Sequence, residues 1–234
     1  MEALITFVLN FIYSSATLAL IVLVLAMVFG LLGVMNMAHG EFVMLGAYSA
    51  YVVQSLGLNF ICAIPISILV CVVVGWLMEW TIIRHLYNRP FDTLLATWGL
   101  SLLTIGLVTS IFGASTTTTI SPPLGTVVIG DYSSSGYELF LIFTVLILLL
   151  AVFLTLKYTS LGLVARATMQ NAEMSSCLGI STSKIYMVTF SLGAAVSGLA
   201  GGLLAPITGV LPNIGVIYIA KAFITVISGG TAIL

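Results

Sequence analysis

The sequence predicts an all-α protein, a polytopic transmembrane helical bundle with broken or re-entrant helices. Of its 234 residues, 61% are hydrophobic and only 6% charged, with a mean hydropathy of +1.27, whereas an average soluble domain carries about 25% charged residues. Apolar runs recur at the length of about 20 residues that crosses a bilayer core. Glycine, proline and small polar clusters interrupt those runs, and at membrane depth such interruptions persist only where the backbone finds partners or a watery cavity.

The elements follow from those runs. A first span covers residues 6–29 and a second 30–53, with Asn36 to Glu41 either in the turn between them or at a break within the second. Spans at 60–83, 93–112, 137–156 and 185–205 come next, and a last apolar segment runs from residue 219 to the end, short for a full crossing. No basic region or small-residue cleavage signal marks the N-terminus, so its apolar run is read as a retained membrane segment. Small residues at Ser191, Ala195, Gly198 and Gly202 form one stripe of a helix, which lets backbones approach closely. Pro206 and Pro212, interleaved with Gly209 and Gly215, should break the chain into a short external connection or a re-entrant piece.

Cations set the orientation. Arg84 and Arg89 lie in one connection and Lys157, Arg166 and Lys184 in another, two spans later, while residues 113–136 hold only Asp131 among many Ser and Thr. By the positive-inside rule the two basic connections are cytoplasmic and the Ser/Thr loop is external, which places the N-terminus outside.

Residues 157–184 form the longest cytoplasmic connection. Leu163, Ala167 and Met169, then Met174 and Leu178, give small apolar faces to two short helices, with a turn near Asn171 and Ala172 and an end at Gly179. Such a loop either caps the bundle or offers a surface to a soluble partner.

Within the spans, Asn36, His39 and Glu41 are the residues that point to a solute pathway. Asn36 and His39 lie three apart on one helical face, with Glu41 elsewhere unless the helix breaks there. They either satisfy a helix break or touch the solute. Lys221 reads as a snorkelling side chain or a pore residue, Glu79 and Arg84 as an interfacial pair, and Tyr48, Tyr51, Trp76, Trp80 and Trp98 as interface anchors and packing.

Other chemistries find no support. A net charge of −1 offers no basic stripe for nucleic acid. No GxxxxGK[ST] loop is present, so any use of ATP belongs to a partner. His39-Gly40-Glu41 has the HxE spacing of zinc deaminases without the paired cysteines, and Cys62, Cys71 and Cys177 form neither a disulfide framework nor a metal site. A serine hydrolase would need His39 against a buried serine such as Ser191 or Ser197, with no elbow motif to present it. No catalytic residue, metal or cofactor is expected.

Three segments in order, VMNMAHGEFVMLGAY, RHLYNRPFDTLLATWGLSLL and ARATMQNAEMSSCLGI, resemble the permease subunits of ABC importers of the branched-chain amino acid type. Within that family they are most similar to the urea and short-amide permeases. The resemblance implies a single transmembrane permease domain, 1–234, that pairs with a second permease, two cytoplasmic ATPases and an external solute-binding protein. It also implies that the loop at 157–184 docks on the ATPase, with Gly162, Arg166, Asn171, Glu173 and Gly179 at the coupling contact. Family members continue after a pair like Gly229-Gly230 with a Gly-Ser turn and a glycine-rich span. Here Thr231, Ala232, Ile233 and Leu234 follow, so a final C-terminal helix is expected to be lacking.

The neutral hydrogen-bonding character of the spans suits urea, and the family also admits branched-chain amino acids. The competing class is a passive channel or secondary transporter. A channel needs no elaborate inside loop, and an ion-coupled carrier is expected to show more paired intramembrane charges.

Overall fold

A computed structural model describes residues 2–32, 36–87, 89–114, 125–129 and 132–229. Helix α1 spans Glu2–Leu32, α2 His39–Ser55, α3 Phe60–Thr81, α4 Pro90–Phe112, α5 Gly136–Tyr158, α6 Ser160–Gln170, α7 Ala172–Cys177, α8 Thr182–Thr208 and α9 Ile214–Gly229. A 3₁₀ turn, Ile83–His85, follows α3. By length and composition four helical stretches can cross a membrane: Phe60–His85, Phe91–Phe112, Gly136–Tyr158 and Thr182–Thr208. Shorter apolar stretches lie in α1, at Phe7–Leu23, and in α9, at Ile214–Ser228.

The helical bundle is as expected, with one addition. Ahead of α5, strands β1 (Thr126–Ile129) and β2 (Tyr132–Ser135) pair antiparallel, Thr126 opposite Ser135 and Ile129 opposite Tyr132. The sequence there reads as a Ser/Thr loop because a hairpin this short has too few apolar alternations to show. Its Asp131 lies outside the described residues, as do residues 230–234.

Helix α2 is the centre of the bundle. It packs against α3, α8, α9 and α4, and eleven of its seventeen residues are buried, including both glycines. A helix buried nearly all round must have close neighbours, and glycine supplies them. A Cβ on Gly198 would stand 2.6 Å from Cys71 Sγ and from the Ser67 carbonyl, one on Gly202 would stand 3.0 Å from Ser67 Oγ, and Gly46 lies against Gly198. Gly201 likewise packs on the Val43 carbonyl. The tight face of α8 is therefore Ala194, Ser197, Gly198, Gly201 and Gly202, turned one residue from the predicted stripe, with Ser191 and Ala195 half-buried at its margin. Ser67 Oγ donates to the Gly46 carbonyl at 2.9 Å and Cys71 Sγ to that of Phe42 at 3.2 Å, side-chain bonds that tie α3 to α2. Tyr137 OH donates to the Leu203 carbonyl at 2.6 Å, tying the start of α5 to α8.

Two boundaries differ from those read in the sequence. The first helix runs on to Leu32, and α2 begins only at His39, just after Asn36, whose side-chain oxygen takes the Ala38 amide ahead of the helix. At the other end α8 continues through Pro206 to Thr208 and stops at Gly209, whose φ of +72° favours glycine. Helix α9 then starts at Ile214, five residues earlier than expected. The connection is buried at Val210 and Pro212 and exposed at Asn213, which fits the re-entrant alternative.

Candidate solute pathway and coupling surface

Helices α2 and α9 both begin inside the protein, and their first turns touch. A Cβ on Gly215 would stand 2.6 Å from the Gly40 carbonyl and 2.9 Å from Glu41 Oε2, so only two glycines allow this backbone-on-backbone contact. The three predicted pathway residues gather at that junction. Asn36 lies before the helix, not on its face: its Oδ1 accepts from the Ala38 amide at 2.9 Å. His39 and Glu41 are in the first turn of α2, and all three are at most 4% exposed.

Their partners come from far along the chain. His39 Nε2 and Ser197 Oγ on α8 lie 3.0 Å apart, and Ser101 Oγ on α4 donates to Glu41 Oε1 at 2.8 Å. One turn earlier on α4, Thr97 Oγ1 accepts from the Met37 amide at 3.1 Å. Thr93, Thr97, Ser101 and Thr104 are all buried and line one side of α4 as a hydroxyl stripe facing the interior. The sequence carries that signal as a hydroxyl every three or four residues, but threonine and serine are too common in apolar helices for the spacing to identify a face by itself. Each of the three pathway residues also keeps one buried polar atom without a hydrogen bond: Asn36 Nδ2, His39 Nδ1 and Glu41 Oε2. An unsatisfied polar atom in the interior is costly, and three of them gather around this one junction. The His39–Ser197 pair is enclosed in helix packing, with no acidic third member and no turn presenting the serine.

Other expected residues fall as follows. Glu79 is buried and accepts from Tyr87 OH at 3.3 Å, replacing the expected pair with Arg84; among the described residues the one ion pair is Arg89–Asp92, at 3.7 Å. Tyr87 follows the 3₁₀ turn, and burial, then the neighbouring Glu79, pushes its phenol well above the usual range. Trp76 and Trp80 stack on the outside of α3 and Trp98 is exposed on α4, whereas Tyr48 is buried against Phe112. Lys221 is exposed and lines a cleft of about 500 Å³ between α1, α8 and α9 with Tyr13, Thr17 and Tyr218. Tyr87 and Tyr186 lie 4.6 Å apart, so the Arg84–Arg89 connection and the start of α8 at Lys184 share one end of the bundle.

At that end the 157–184 segment folds as two short helices. The Thr159 side chain accepts from the Gly162 amide at 3.2 Å and caps α6, and Asn171 Oδ1 accepts from the Met174 amide at 2.9 Å and caps α7. Gly179 closes the motif with φ +83° and its amide on the Ser176 carbonyl. Gly162 lies against the Leu156 carbonyl, which also accepts from the Arg166 guanidinium. Four of the five predicted coupling residues thus build the segment, and only Glu173 is presented on it. Around it stand Leu163, Met174 and Leu178, each at least 60% exposed.

A bundle whose helices break at a buried polar junction, with a structured connection at its basic end, is the arrangement of a membrane transport subunit. The chain belongs to the family of branched-chain amino acid transport system permease components, whose model matches residues 7–234, and it is a multi-pass protein of the cell membrane. It is similar to the high-affinity branched-chain amino acid transport system permease BraD of Pseudomonas aeruginosa, with 32% identity over 234 residues, and to LivH of Salmonella typhimurium, with 28% over 231; each match covers 92% of this chain and 75% of the relative. A probable LivH of Methanocaldococcus jannaschii is 28% identical over 233 residues, covering 94% of this chain and 71% of the relative. No solved structure matches.

Proposed function

We propose that this chain, as one permease domain over 1–234, forms the solute path of an ATP-driven importer of small aliphatic amino acids together with a second permease. The observation that carries the reading is the family match over nearly the whole chain, with the named relatives all branched-chain amino acid permeases. Asn36, His39 and Glu41 line the path at the α2–α9 junction. Cytoplasmic ATPases drive it through α6 and α7, and an external solute-binding protein delivers the solute. The absence of a phosphate-binding loop from the sequence fits the assignment of hydrolysis to the partners. Exposed Leu163, Met174 and Leu178 beside Glu173 fit a docking surface, because side chains this apolar at the water side of a membrane protein are suited to cover by another protein.

A second reading, transport of urea or short amides, is favoured by the hydroxyl stripe Thr93–Thr97–Ser101–Thr104, whose oxygens, their own protons already donated, can still accept hydrogen bonds from a neutral amide. Uptake of labelled leucine and labelled urea by cells carrying the full transporter, with and without this chain, decides between them. Chain-dependent leucine uptake supports the amino-acid reading, and urea uptake alone supports the other. Purification from membranes should bring a nucleotide-binding subunit with the chain; passive flux without one would indicate a channel.

A further inference from the structure

Glu41 is a carboxylate 1% exposed at the centre of a bundle, and among the described residues no lysine, arginine or histidine nitrogen lies within 4.0 Å of it. A buried charge without a counter-charge is among the most expensive arrangements in a membrane protein, and such residues stay where function needs them. The two oxygens are treated differently. Ser101 Oγ fixes Oε1 at 2.8 Å, while Oε2 has no hydrogen bond and points at the junction with Gly215. The first turns of α2 and α9 both begin there, and the positive ends of two helices offset part of the cost of a charge at that point without pairing it. One oxygen is positioned and the other is left open.

We propose that Glu41 Oε2 is the counter-charge for the protonated amine of the passing solute, which makes it a specificity-determining group of this path. The inference rests on reading the α2–α9 junction as a solute path. Ser101 is a positioning residue, acting through the carboxylate it holds. Asn36 Nδ2, the unsatisfied donor of the same break, offers a hydrogen bond to an acceptor such as the carboxylate of the same solute. Opening the path requires the Gly40–Gly215 contact to part, which uncovers Oε2. A neutral amide could also donate an N–H to Oε2, but the two ligands differ in what they ask of it. The amide needs an acceptor oxygen, which glutamine also has, whereas the ammonium needs the negative charge.

The test uses the full transporter in proteoliposomes with binding protein and ATP, comparing the parent chain with Glu41→Gln, Glu41→Asp, Ser101→Ala and Ser101→Thr. Leucine uptake by Glu41→Gln is expected to fall by about tenfold or more, with binding-protein-stimulated ATP hydrolysis retained, and Glu41→Asp is expected to recover part of it. Ser101→Ala should slow leucine uptake by about threefold to tenfold through loss of one charge-assisted hydrogen bond, and Ser101→Thr should restore it. Leucine uptake by Glu41→Gln at the parent rate overturns the proposal and leaves the permease reading standing. Joint loss of uptake and ATP hydrolysis in both Glu41 variants overturns it in favour of a structural role, as does an equal fall in uptake of labelled urea. A parent transporter that carries no leucine rejects the amino-acid reading itself.

Discussion

Gly198 shows how much of this bundle depends on the absence of single atoms. A methyl group there would meet Cys71 Sγ and the Ser67 carbonyl at 2.6 Å, and since one contact is backbone, the helices would have to separate. Gly198→Ile is expected to abolish accumulation of folded protein in the membrane, whereas Gly99→Ala, with nothing within 4 Å of the new Cβ, should leave it unchanged; detergent-solubilised yield and melting temperature check both. At this scale the sequence was partly readable. Asn36, His39 and Glu41 stood out because polar groups in an apolar run need a reason, and all three are buried at one place. Their partners did not stand out. Ser101 lies 60 residues from Glu41 and Ser197 158 residues from His39, and no local pattern ties a hydroxyl to an imidazole across that distance. Glu79 misled for a related reason: Arg84 is nearer in sequence, but the turn after α3 gives the contact to Tyr87.

Elements were most legible where their punctuation is chemical. The two helices of the 157–184 segment and their limits could be read from Asn171 and Gly179, since a side-chain cap and a left-handed glycine act within a few residues. The end of α8 was misplaced because proline is a weaker stop than it looks: a long packed helix absorbed Pro206 and ended at Gly209. Loss of the cap in Asn171→Ala should destabilise α7 by about 1 kcal/mol and lower uptake only partially. Glu173→Lys reverses the exposed acidic charge of this surface, so it should abolish ATP-dependent uptake while the chain still reaches the membrane at parental level. Transport assays alongside immunoblots of the membrane fraction check the two variants together, and normal uptake in Glu173→Lys would remove the segment from coupling.

For the whole molecule, the orientation rests on five cations, Arg84, Arg89, Lys157, Arg166 and Lys184, and can be tested with one thiol. Cys177 is exposed on α7, at the end of the bundle that also carries Arg84 and Lys184. With Cys62 and Cys71 replaced, a membrane-impermeant maleimide should label Cys177 in inside-out vesicles and not in intact cells; the opposite pattern would invert the topology. The four long spans could be read from hydropathy because lipid imposes a length on each; α2, with 17 residues, does not have that length. The arrangement of the helices could not be read, since any apolar face suits lipid, and the central place of α2 follows from glycines that matter only in pairs, Gly46 with Gly198 and Gly40 with Gly215.

The last of those pairs has an electrical consequence. A membrane that stores an ion gradient tolerates a solute path only if the resting state conducts nothing, and on the reading proposed above the barrier is the backbone contact of Gly40 with Gly215. A seal of that kind has little adjustable play. A methyl group at either position would hold the first turns of α2 and α9 apart whatever the state of the partners. Cells expressing Gly40→Ala should therefore show a standing ion leak, measurable as a lowered membrane potential with a voltage-sensitive dye, even when no solute is supplied.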